Sequence, residues 1–85
     1  MGQKKGLNMG FQNKNMSVVA YANGFTLWHY VSKDEKLKDI CKLGYFNRII
    51  TLANTGDIVI INGSDSTGIK YMELVGDDIW IRDLK

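Results

Sequence analysis

The 85-residue chain has one cysteine and one histidine. An intramolecular disulfide and a Cys/His zinc site are therefore both excluded. No apolar run approaches the roughly 20 residues of a membrane-spanning helix. Lys4 and Lys5 have no apolar stretch behind them, so no secretory signal is expected there. There is no proline, no internal repeat and no low-complexity segment. The aspartates do not follow the spaced calcium-loop pattern. Gly63 to Gly68 lacks the lysine and the following helix of a phosphate loop. No cofactor and no metal is expected. A lone thiol is compatible with a reducing cytoplasm.

What is present reads as one small globular domain. Its hydrophobic fraction of 45% is too high for a disordered chain. The net charge of +2 is unevenly placed. Lys4, Lys5 and Lys14 give residues 1–15 a charge of +3, and eight basic against nine acidic residues leave 16–85 at −1. Residues 1–15 read as a flexible basic arm with Leu7, Met9 and Phe11 as its possible anchors, and 16–85 as the folded domain. Three scattered lysines are too few for strong phosphate binding.

The segment Tyr21 to Tyr30 holds four of the nine aromatics, the histidine and the strongest turn signal. Asn23-Gly24 is the pair that a two-residue hairpin turn prefers, because both central positions of a type I′ turn need positive φ. Strands flank it over 17–21 and 25–31. In the second arm Phe25, Leu27, His29 and Val31 share one face, expected to meet the core. Thr26, Trp28 and Tyr30 share the other, an amphipathic aromatic face of the kind that sits at an interface or packs under a loop.

Ser32-Lys33-Asp34-Glu35 matches a capping box, with the Ser32 hydroxyl accepting from the Glu35 amide and the Glu35 carboxylate reaching back to the Ser32 amide. Leu37, Ile40 and Cys41 then recur at helical spacing, so a helix is expected over 33–43 with Gly44 as its stop. Cys41 reads as a small core hydrophobe. Phe46, Ile49, Ile50 and Ala53 suggest a second short helix over 45–53, stopped at Gly56. Asp57 to Ile61 is the most apolar run and reads as a central strand buried on both faces, with Asp57 capping a turn. Strands over 69–75 and 79–84 complete an antiparallel meander, with Ile79 and Ile81 facing one way and Trp80 and Arg82 the other. The expected fold is α+β: an antiparallel sheet or incomplete small barrel of about five strands with two short helices on one face.

The order FTLWHY, capped helix, Gly44-Tyr45-Phe46-Asn47 and Gly56-Asp57-Ile58-Val59-Ile60 resembles small uncharacterised proteins encoded in bacteriophages and phage-like regions of bacterial genomes. The resemblance covers roughly residues 21–61. It implies a virion-associated part, such as a capsid decoration or fibre domain, in a virion or host cytoplasm. It carries over no functional residue.

His29 alone offers acid–base chemistry near neutral pH, and no nucleophile is placed beside it by sequence, so the chain reads as a non-enzyme. The aromatic load suggests a self-associating structural module with Trp28, Tyr30, Tyr45, Phe46, Trp80 and Arg82 as candidate interface residues. So short a chain, without disulfide or metal, is expected to gain stability from a symmetric homo-oligomer. The phage resemblance favours a trimer, whereas composition alone favours a dimer. The alternative is a small nucleic-acid-binding domain using the lysine arm and stacking by Trp28 and Tyr30. The negative balance of 16–85 weighs against it.

Overall fold

The computed structural model describes residues 10–84. Five strands form a single sheet: β1 (Met16–Ala22), β2 (Phe25–Val31), β3 (Ile58–Asn62), β4 (Thr67–Val75) and β5 (Asp78–Asp83), ordered as in the sequence. One helix, α1 (Leu37–Ile40), and a 3-10 turn at Asn47–Ile49 lie in the connection between β2 and β3.

The β1–β2 hairpin forms as the sequence predicts. Ala22 pairs with Phe25 across the two-residue turn, and Gly24 takes φ +93°. The β3–β4–β5 meander is antiparallel throughout. The sheet is nonetheless mixed, because β2 and β3 run parallel. A parallel pair needs a crossover rather than a tight turn. Residues 32–57 supply it, and they lie against the face of the sheet that carries the core.

Both expected helices are much shorter than their apolar spacing suggests. The Ser32 hydroxyl does accept from the Glu35 amide, at 3.2 Å, but the rest of the capping box is absent. The Ser32 amide donates to the Asn62 carbonyl, and the Glu35 carboxylate turns to Tyr45 and Gly10 instead. Ser32 thus holds a turn that leads to α1 rather than starting it. The helix begins five residues after Ser32, where the Asp65 carboxylate accepts from the Leu37 amide at 2.9 Å. Gly63 lies against this start: a Cβ there would stand 2.6 Å from the Leu37 nitrogen. The second segment keeps its expected inner face, with Phe46, Ile49 and Ala53 buried, but winds only a short 3-10 turn. Gly44 and Gly56 take positive φ at the expected stops.

The core consists of Trp28 and Tyr30 from β2, Ile40, Phe46, Ile49 and Ala53 from the crossover, and Val59, Ile61, Met72 and Ile79 from the meander. Cys41 packs against its edge, and burial raises its thiol pKa, which keeps it protonated near neutral pH. Residues 1–9 of the expected arm lie outside the described residues. From Gly10 the chain is docked, not free: Phe11 stacks on Tyr30 with centroids 5.3 Å apart and meets Phe46 and Tyr45 edge-on.

Candidate interaction surface

Strand β2 presents its two faces opposite to the expectation. Thr26, Trp28 and Tyr30 are buried, while Leu27, His29 and Val31 are only half-buried and Phe25 is exposed. The cause lies in the polar tips of the aromatics. An indole N–H or a phenol can be buried when it finds a partner, and here each does. The Asp57 carboxylate, fully buried, accepts from the Trp28 indole at 3.0 Å, from the Thr26 amide at 2.9 Å and from the Asn54 amide at 3.0 Å. Asp57 does hold the turn before β3, as expected, and it also ties that turn to β2.

Tyr30 is served by a second network. Its hydroxyl accepts from the Gln12 amide at 3.0 Å and lies 2.8 Å from the Tyr45 hydroxyl. Tyr45 donates onward to Glu35, whose other oxygen accepts from the Gly10 amide at 3.0 Å. Because the Tyr45 proton goes to Glu35, Tyr30 is the donor to Tyr45, and the network runs in one direction toward a carboxylate. Burial and these hydrogen bonds push the Tyr45 phenol pKa far upward, so it remains protonated.

The crossover covers only one face of the sheet. On the other, strand register aligns apolar side chains in cross-strand rows. Leu27 lies beside Ile58, Ile58 beside Tyr71, and Tyr71 beside Arg82. His29 lies beside Ile60, and Ile60 beside Ile69. Trp80 stands on this face too, opposite Glu73. Arg82 bridges them: its guanidinium sits 4.6 Å from the Trp80 ring centroid and its Nε donates to Glu73 at 2.8 Å. The charges in these rows therefore cancel. His29 Nε2 lies 3.2 Å from the Asn62 side-chain oxygen, and its cross-strand neighbour in β1 is Ser17.

Of the residues expected at an interface, Trp80 and Arg82 stand on the open face. Trp28, Tyr30 and Phe46 are in the core, and Tyr45 is half-buried beside them. The structure does not bring the six together. It brings forward others, namely Leu27, Ile58, Ile60, Ile69 and Tyr71. Their signal was present in the unbroken apolar run of β3, where Val59 and Ile61 are buried but Ile58 and Ile60 remain half-exposed. Among the described residues no three His, Cys, Asp or Glu side chains stand together as a metal site, and no helix is long and apolar enough to cross a membrane. No family model, curated protein or solved structure matches the chain.

Proposed function

We propose that the chain is a non-enzymatic assembly module that self-associates by covering the open face of its sheet with a second copy. The supporting observation is the sidedness of β3. Its sequence is apolar on both faces, yet the chain's own crossover covers only one. A sheet with two apolar faces needs a layer on each. A second sheet stacked about 10 Å away is the usual solution. The paired charges of Glu73 and Arg82 allow two identical faces to meet without like-charge repulsion.

Such a face meeting its own copy about a two-fold axis gives a pair. The trimer implied by the phage resemblance is the competing arrangement. That resemblance is also the ground for placing the assembly in a virion, as a decoration or fibre component. The nucleic-acid alternative draws no support from Trp28 and Tyr30, because buried rings are not available to stack on bases.

Light scattering across a dilution series tests the reading. The wild type is expected to have twice the monomer mass or a multiple of it, and Ile60→Lys to lose that association while keeping its circular dichroism. A folded wild-type monomer at micromolar concentration overturns the proposal, and a trimer mass replaces the pair. Capsid and tail genes beside the coding gene would support the virion assignment; their absence would remove it.

A further inference from the structure

The two outer strands of the sheet differ in a way that the open face does not explain. β5 carries Asp78, Arg82 and Asp83. Charge along an outer strand is a common means of discouraging a further strand from adding. β1 is the other outer strand, and among the described residues it pairs with β2 alone. Met16–Ala22 contains no charged residue, and every position after Met16 is exposed. Val18, Val19 and Tyr21 are 55%, 56% and 79% exposed. The strand has one protective feature, the irregularity of register between Val18 and Ala20. It leaves regular pairing on either side, at Met16 to Val18 and at Ala20 to Ala22.

We propose that β1 is a strand-addition site whose occupant is β1 of a second copy, running antiparallel about a two-fold axis normal to the sheet. The strand itself argues for this occupant. Backbone N–H and C=O groups along an antiparallel edge are self-complementary, so one copy satisfies the other. An uncharged edge meets its own copy without like-charge repulsion. Val18, Val19 and Tyr21, residues suited to strands, gain cross-strand neighbours. The pairing keeps both open faces on the same side, so they become one wider apolar surface. It uses an edge rather than a face and does not depend on face-to-face stacking.

Amide hydrogen exchange on the full chain, read together with mass, separates the two contacts. The amides within residues 17–21 that point away from β2 are expected to gain protection as wild-type concentration rises. Val19→Lys, which sets two like charges against each other across the axis, should abolish that gain and halve the assembled mass. Ile60→Lys should leave the protection in place. No gain in protection at these amides across the wild-type concentration series overturns the proposal, and this arm needs no variant. Unchanged mass and protection in folded Val19→Lys also overturns it. Loss of association confined to Ile60→Lys would leave the face-to-face reading standing alone.

Discussion

The Asp57 carboxylate accepts the Trp28 indole proton at 3.0 Å, joining a turn before β3 to the middle of β2. The same side chain accepts two backbone amides, so one fully buried group satisfies three donors. No basic side chain offsets it in this set; its partners are N–H groups. Hydrogen bonding of this kind can hold a buried carboxylate.

Asp57→Asn keeps the shape but places an NH2 group against N–H donors. At least one buried donor is then unsatisfied, at a cost of about 1–3 kcal/mol. Denaturant titration should show a lower midpoint, and tryptophan emission should report the altered Trp28 environment. An unchanged midpoint would remove Asp57 from its role as the link between β2 and the β3 turn.

Gly24→Val tests the hairpin turn. A Cβ at Gly24 meets nothing within 4 Å, so the penalty is purely conformational. Holding a β-branched residue at φ +93° should cost roughly 1–2 kcal/mol. Thermal melts read it directly.

Ser32→Ala removes the acceptor of the Asp34 and Glu35 amides, at 3.3 and 3.2 Å. The expected loss is about 0.5–2 kcal/mol, the range for a serine of this kind. Since the turn precedes α1, helical signal in circular dichroism should be retained while the unfolding midpoint falls. A fall in both would return Ser32 to the helix itself.

Tyr45 predicts an alkaline limit. Its phenol pKa is raised in the folded state above the ordinary 10.0. A raised folded pKa means that the unfolded chain releases the proton first. This stabilisation is therefore complete below pH 10.0 and lost as pH climbs above it. Melting points measured up through this range should fall for the wild type and fall less steeply for Tyr45→Phe. The variant should also be less stable near neutral pH, because it leaves a Glu35 oxygen without its donor.

Local signals in the sequence located the Asn23-Gly24 hairpin, β3 and the meander, because turn residues and β-branched runs act over a few positions. The alternation of β2 divides its residues correctly into two sets but does not say which set lies inside. That is decided by Asp57 and Tyr45, which are distant in the chain and supply partners to Trp28 and Tyr30. Helix length failed for a similar reason. The spacing of Leu37, Ile40 and Cys41 is helical, yet Asn62 takes the Ser32 amide and Asp65 caps Leu37, and both act from beyond the crossover. The open face was half legible: Trp80 and Arg82 were placed on the correct side of β5, and the excess apolarity of β3 was seen without its sidedness.

The parallel seam between β2 and β3 also bears on the order in which the chain folds. The β1–β2 hairpin and the β3–β4–β5 meander each close over short spans, whereas the seam must first bring together the ends of residues 32–57. Loop closure is an entropic barrier met before any of the seam's hydrogen bonds form. The two local units are therefore expected to form early and the seam last. In stopped-flow kinetics, Met72→Ala in the meander should mainly slow folding, while Asp57→Asn, which weakens the side-chain tie between β2 and the turn before β3, should mainly speed unfolding.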